Sequence, residues 1–283
     1  RGGLEAPART QLRERRVDVE PPFPSRLEDR QLAPEGKRHE VGVVHVDAPD
    51  PGQMARSRRI SRLDRGDLLG AAGHPFAQTP NLDALAADGT RFARHFCQAY
   101  PCGPARASMN TGLYAHKHRS IQNGVPRDAR HPTIFQEARR AGYRPRLFGY
   151  TDTTLDPRGR SAADPDRGDY ENVCPGLDVD TLLTERAVPW LAHLLAKGYQ
   201  VDPDGGRDAV FAARGLGEAA MFAAEDSETA FLTDRFLSWQ SVAGGRPWFA
   251  HVSYIAPHPP FAAASPYDRL IDPEAVPLPK RGD

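Results

Sequence analysis

Cys102-Gly103-Pro104-Ala105-Arg106 places a thiol and a guanidinium four residues apart across a proline. In a helix that spacing puts both side chains on one face, one turn apart. Pro104 suits a first turn, where its missing N–H costs nothing. A helix start presents free N–H groups and the positive end of the peptide dipole to whatever lies beside Cys102. Arg106 adds a fork-shaped cation that keeps its charge at any physiological pH. Together these groups suit a tetrahedral oxyanion such as sulfate, phosphate or phosphonate. The plain alternative is a buried small thiol beside a surface charge, because five-residue patterns recur by chance.

The flanking sequence predicts an α/β scaffold for this motif. Asn81 to Gly89 reads as a short amphipathic helix capped by Asn81 and closed by Gly89. Thr90 to Ala99 begins as a short strand running toward the motif, and Ala105 to Leu113 is the helix below Cys102. Thr133 to Ala141 is a helix with Ile134, Phe135 and Ala138 on one face and Gly142 ending it. Arg146 to Tyr150 is a strand that delivers a polar loop at its carboxyl end, where open α/β sheets bind ligands. Leu155 to Gly176, rich in Asp and Pro, is irregular; Thr181 to Ala196 and Thr229 to Gln240 are helices. Trp248 to Tyr254 is a buried strand leading into Pro257-His258-Pro259-Pro260-Phe261.

Composition narrows the function classes. The chain of 283 residues carries 37 basic and 37 acidic side chains, so no long-range field draws it to nucleic acid or an anionic membrane. No apolar run reaches the length of a bilayer span. Arg1-Gly2-Gly3-Leu4 lacks the apolar core of a secretory signal, so a cytoplasmic location is expected; the chain opens on Arg rather than Met. Three cysteines, Cys97, Cys102 and Cys174, form no self-contained disulfide framework. Residues 1–53 read as a poorly ordered extension, with Val41 to Asp47 its one strand-like run, and residues 54–283 as the catalytic domain.

His74-Pro75-Phe76, Thr79-Pro80-Asn81-Leu82-Asp83, Gly89-Thr90-Arg91-Phe92, the Cys102 motif, Thr111-Gly112-Leu113-Tyr114, Gln122-Asn123-Gly124, Phe148-Gly149-Tyr150-Thr151-Asp152 and Pro257-His258-Pro259 occur in that order. In this order they resemble the N-terminal half of the sulfatase family of the alkaline phosphatase superfamily, in its phosphonate monoester hydrolase and arylsulfatase branch. The resemblance implies a mostly parallel mixed sheet between helices, here truncated on its C-terminal side. It implies that a formylglycine-generating enzyme oxidises Cys102 to formylglycine, whose hydrate attacks sulfur or phosphorus in a small anionic ester. Arg106 would hold that nucleophile, Asn123, Tyr150 and Asp152 would bind the substrate, and His258 would face the leaving group. On the residues alone, Asn123 is equally a turn residue before Gly124, Tyr150 a core aromatic and Asp152 a cap.

A divalent metal (calcium, manganese or magnesium) is also implied, held by formylglycine at 102 and by carboxylates. The family's first-strand Asp falls at Arg62, within Ala55 to Leu63, where four arginines in nine residues cannot make a central buried strand. A reading-frame slip between Met54 and about Asp64 would explain the substitution. Asp64 and Asp47 are the nearby carboxylates, neither at the family's offset from Arg65-Gly66-Asp67. No Asp-His-Gly segment precedes Asp283, so the chain is expected to turn over poorly. The alternatives are an inactive sulfatase-like fragment and a metal-dependent phosphotransferase of the same superfamily. Neither a nucleic-acid nor a membrane partner is expected; a homo-oligomer is compatible with the sequence.

Overall fold

The computed structural model describes residues 56–60, 68–212, 218–243 and 247–276, the first segment as backbone only. The expected 1–53 extension, the Val41 to Asp47 strand, Arg62 and Asp64 lie outside the described residues. Four parallel strands form one sheet: β1 (Arg56–Ile60), β2 (Arg146–Gly149), β3 (Asp178–Leu182) and β4 (Phe249–Ser253). Their spatial order is β1-β4-β2-β3. The arginine-rich stretch is thus a strand after all, at an edge of this sheet and paired with β4 from Arg56↔Phe249 to Ile60↔Ser253. Seven helices complete the described fold: α1 (Pro80–Asp88), α2 (Cys102–Thr111), α3 (Ala115–His118), α4 (Ile134–Arg140), α5 (Val188–Ala196), α6 (Gly206–Ala212) and α7 (Glu228–Val242).

Alternation along β2 and β4 gives the sheet two apolar faces. Phe148 and its register partner Val252 face α5 and α7, in a cluster with Trp190, Leu194, Leu232 and Phe236. Phe148 meets Phe236 edge-on with ring centroids 5.8 Å apart. Leu147 and its partner His251 alternate with that set, and Phe135 of α4 meets His251 edge-on at 5.1 Å. Phe135, Leu147, Phe148, Trp190, Leu194 and Leu232 are all fully buried. Helix α4 is held at its start by a capping box. Thr133 Oγ1 accepts from Gln136 N–H at 3.1 Å, and Gln136 Oε1 accepts from Thr133 N–H at 2.9 Å.

Several expected elements are corrected. Helix α1 starts at Pro80 after Thr79, so Asn81 is not its cap, and none of its residues is buried. Residues 90–99 form no strand. Phe92 and Phe96 are exposed there, and an unpaired strand would leave its backbone groups without partners. Ile134 is exposed, so it does not share the buried face of Phe135. The expected helix from Thr181 is a strand first. Val179 and Thr181 are β-branched and pair with β2, and the helix waits until Val188, with Pro189 in its first turn.

Candidate active site at the start of helix α2

Helix α2 begins at Cys102, which is half-buried, and ends at Gly112. Gly112 is left-handed (φ 70°), and its N–H returns to the Ser108 carbonyl at 2.8 Å. The first turn is less open than the sequence suggested. Ala105 N–H bonds the Pro101 carbonyl at 3.0 Å, and Gly103 N–H donates to Asn123 Oδ1 at 2.8 Å. Asn123 does sit in a turn, with Gly124 at φ 78° and Val125 N–H bonded to the Gln122 carbonyl. Its side chain nevertheless reaches 20 residues back in the chain. With the carbonyl oxygen held by Gly103, the amide nitrogen is the end that can donate to a ligand.

Gly103 leaves little room beside this approach. A Cβ there would lie 3.2 Å from Asn123 Oδ1 and 3.3 Å from Asn123 Cα, with Asp152 Oδ1 at 3.8 Å. Asn123 and Asp152 therefore meet beside the residue that follows Cys102. Asp152 is 9 % exposed and has φ 47°, a left-handed conformation that Asp tolerates better than most residues. Strain of this kind persists where surrounding contacts fix it, and it concentrates at functional sites.

Arg106 lies one turn into α2, 7 % exposed. Its guanidinium carbon sits 4.4 Å from the centroid of the Tyr150 ring. Its Nη1 donates to Ser253 Oγ at 3.1 Å and reaches the Tyr150 carbonyl at 3.4 Å, while Nε has no hydrogen-bond partner. Tyr150 follows β2 and Ser253 ends β4, so the carboxyl ends of adjacent parallel strands clasp the arginine. Gly149 allows this closeness: its φ is 111°, and a Cβ there would collide with the Ser253 carbonyl. Tyr150 is thus neither a plain core aromatic nor remote from the motif. Ser253 was not singled out from the sequence; only the register Gly149↔Ser253 brings it to Arg106.

Beneath this turn, Ser108 and His118 form a buried pair at 2.8 Å. His118 Nδ1 accepts from Ser120 N–H at 3.1 Å, so Nε2 carries the proton that Ser108 Oγ accepts. Burial, with a smaller contribution from His131, holds this imidazole below its ordinary pKa of 6.5. Cys174 is buried against Asn110, and burial pushes its thiol up to about 11. It is an inert thiol, in contrast to half-buried Cys102.

His258 does not join the group around α2. It is exposed, and its Nδ1 lies 2.7 Å from the Pro259 carbonyl. The carbonyl can only accept, so Nδ1 carries the proton and Nε2 is the nitrogen left to exchange one. His258 instead lines a separate pocket with Arg207, Phe222 and Glu228. Asp64, the carboxylate expected among the metal ligands, lies outside the described residues. Among the described residues no grouping of three or more His, Cys, Asp or Glu could hold an ion. At the start of α2 one carboxylate, Asp152, and one amide, Asn123, supply too few hard oxygen donors for calcium, manganese or magnesium.

A parallel sheet whose strand ends gather an arginine, a tyrosine and a helix-start cysteine defines a class of enzyme-like scaffold. The sulfatase family model matches residues 64–271, and the chain belongs to the sulfatase family, within the alkaline phosphatase superfamily. It is 35% identical over 224 residues to the multifunctional alkaline phosphatase superfamily protein PehA of Trinickia caryophylli, a match over 76% of this chain and 43% of that protein. It is 36% identical over 87 residues to an arylsulfatase of Clostridium perfringens, covering 30% of this chain and 18% of the relative. The crystal structure of the phosphonate monoester hydrolase of Agrobacterium radiobacter superposes with a TM-score of 0.70 at 44% identity, over 76% of this chain and 43% of that one. The chain thus spans less than half the length of the longer of these relatives. Their alkaline phosphatase-like fold is the one seen here. No helix among the described residues is long and apolar enough to cross a membrane.

Proposed function

We propose that this chain carries the nucleophile and anion-binding part of a hydrolase for sulfate monoesters, or for phosphonate monoesters and phosphodiesters. Arg106 is the observation that carries the reading. A buried guanidinium beside a helix start, paired with no Asp or Glu among the described residues, is a charge awaiting an anion. Relatives named as a phosphonate monoester hydrolase and an arylsulfatase support the two ester classes.

In this reading a formylglycine-generating enzyme converts Cys102 to formylglycine, whose hydrated aldehyde supplies one hydroxyl for attack and a second for release of the bound oxyanion. Arg106, braced by the Tyr150 ring and Ser253, holds positive charge toward the transferred group. Asn123, its carbonyl fixed on Gly103, turns its amide N–H groups to a non-bridging oxygen. Asp152 fixes the loop after Tyr150 against the Gly103 turn. His258 would serve the leaving group only if brought to it with protons on both ring nitrogens, Nδ1–H held by the Pro259 carbonyl and Nε2–H passing to the departing alkoxide oxygen.

Co-expression with a formylglycine-generating enzyme and peptide mass spectrometry tests this assignment. The aldehyde or its hydrate is expected at position 102 and not at 97 or 174. Turnover of an aryl sulfate or a phenyl phosphonate ester by the matured chain should stay poor, and whatever turnover is seen should disappear in Cys102→Ala. A thiol alone at position 102 would sink the reading.

A further inference from the structure

Asn123 is followed by Gly124, the only Asn-Gly step in the chain; the other asparagines precede Leu82, Thr111 and Val173. The pair is reactive as well as turn-forming. The backbone nitrogen after an asparagine can attack that asparagine's own side-chain carbon, and a following glycine puts no Cβ in the way. Here the step faces solvent. Residues 121–124 are all exposed. Gly124 has φ 78°, and nothing lies within 4 Å of where its Cβ would stand. Its N–H donates no hydrogen bond among the described residues, so the nitrogen is open to base. Asn110 and Asn172 are buried, and Asn81 is held in the first turn of α1.

One contact restrains the side chain. Asn123 Oδ1 accepts from Gly103 N–H at 2.8 Å. Such a bond is worth about a factor of ten in an equilibrium, so releasing it slows ring closure by no more than about tenfold. Nδ2, the nitrogen that must leave, has no hydrogen-bond partner among the described residues.

We propose that Asn123 is a self-modification site whose deamidation shuts the anion site at the start of α2. Base removes the Gly124 amide proton, the nitrogen bonds to Asn123 Cγ, and the Cγ–Nδ2 bond breaks to release ammonia. Water then opens the cyclic imide at either carbonyl carbon, giving Asp or isoAsp at position 123. Each product carries a carboxylate where an amide had N–H donors to offer. That carboxylate stands close to a second one. A Cβ on Gly103 would lie 3.2 Å from Asn123 Oδ1 and 3.8 Å from Asp152 Oδ1. An oxyanion loses its donors and meets added negative charge. The loss of anion binding rests on the hydrolase reading above; the deamidation does not.

Mass spectrometry of the tryptic peptide of residues 120–127, before and after incubation of the full chain at pH 8 in sulfate-free buffer, tests this. Conversion of amide to acid at 123 should be at least about tenfold faster than at 81, 110 or 172. It should run within about tenfold of the rate in the free peptide of the same residues. Gly124→Ala should slow it by at least about tenfold. If the positive φ makes that variant unstable, the comparison of chain with peptide decides alone. Cys102→Ala should deamidate as the unaltered chain does, so failure of the nucleophile assignment is read separately. The acidic form, isolated by anion exchange, should lose most of the rise in Tm that sulfate gives the fresh chain. Sulfate at about a hundredfold excess over Kd should in turn slow the deamidation, because a ligand and a modification that oppose each other do so reciprocally. A rate at 123 no faster than at the other asparagines, or more than about tenfold below the peptide's, would overturn the self-modification. An undiminished sulfate response in the acidic form would overturn the shutting of the site. A fresh chain without any sulfate response would overturn the anion site itself and leave the modification standing.

Discussion

Arg106 and Arg207 are buried to nearly the same degree, 7 % and 8 % exposed, yet they solve the problem of a desolvated charge differently. Arg207 has a carboxylate partner, Glu228. Arg106 has an aromatic face, a hydroxyl and a carbonyl, all neutral, and no ion pair with an Asp or Glu among the described residues. A paired charge is internally compensated, and removing either partner strands the other. A charge held by neutral groups retains most of its field for a ligand. The difference separates an arginine that organises a pocket from one that is itself a binding group.

The comparison breaks most sharply at Arg207. Arg207→Met leaves Glu228 buried without its cation and should cost about 3–5 kcal/mol of stability at pH 8, read by urea unfolding. Adding Glu228→Leu should recover most of that loss. An equal loss in the single and double variants would show that Arg207 acts by packing alone.

Glu228 also sets a pH dependence. Burial pushes its carboxyl up to about 7, against the pull of Arg207, from an ordinary value of 4.5. The folded state therefore holds a proton that the unfolded state releases. The associated stability is fully present below pH 4.5 and is lost as pH rises to about 7, by up to about 3 kcal/mol. His118 acts in the opposite sense. Its depressed folded pKa makes stability fall as pH drops below 6.5. Glu228→Gln should remove most of the loss between pH 5 and pH 7, leaving the acid-side decline from His118 and the smaller opposing share of Glu171, whose carboxyl burial also raises. A profile unchanged by the substitution would place the titration elsewhere.

Arg106→Met should behave unlike its counterpart. With no carboxylate to strand, the variant should lose little stability in anion-free buffer. The unaltered chain should gain about 2–3 kcal/mol from sulfate or phosphate at a hundredfold excess over Kd, seen as a rise in Tm, and the variant should gain none. An anion response that survives the substitution would move the binding site away from α2.

What the sequence disclosed follows the range of the interactions involved. Helix α2, the strands β2 and β4 and the α4 start rest on local signals: Pro104 in a first turn, short continuous apolar runs, and Thr133 three residues before Gln136. Cys102 and Arg106 stood out by residue type and spacing and Asn123, Tyr150 and Asp152 only through the family resemblance; the structure puts Asn123 and Asp152 beside Gly103 and Tyr150 on Arg106. The strand β3 was misread because Leu182 and Leu183 extend the apolar pattern of α5, although Pro189 would have stood inside such a helix. The pocket around Arg207 and Glu228 left no motif. Its lining runs from residue 207 to residue 268, and only the packing of α6, α7 and the loop after β4 brings those positions together.

The smallest expected effect tests the finest part of the contrast, the way a neutral amide shapes the helix start that Arg106 serves. Asn123 is exposed, so its side chain contributes little packing. What it supplies is one acceptor for Gly103 N–H, 2.8 Å away, in a first turn where Pro104 has no N–H and Ala105 N–H already bonds the Pro101 carbonyl. Asn123→Ala removes that acceptor, but water entering where the exposed side chain stood can take its place on the N–H of buried Gly103, so stability should fall by only about 0.5–1.5 kcal/mol. Asn123→Asp keeps the acceptor and should hold stability. It also replaces the outward N–H donors with a carboxylate oxygen, which would repel an anion at α2. Stability and sulfate response should therefore separate: Ala loses a little of both, while Asp keeps the first and loses most of the second. If both variants track each other in the two measurements, Asn123 is a turn residue and nothing more.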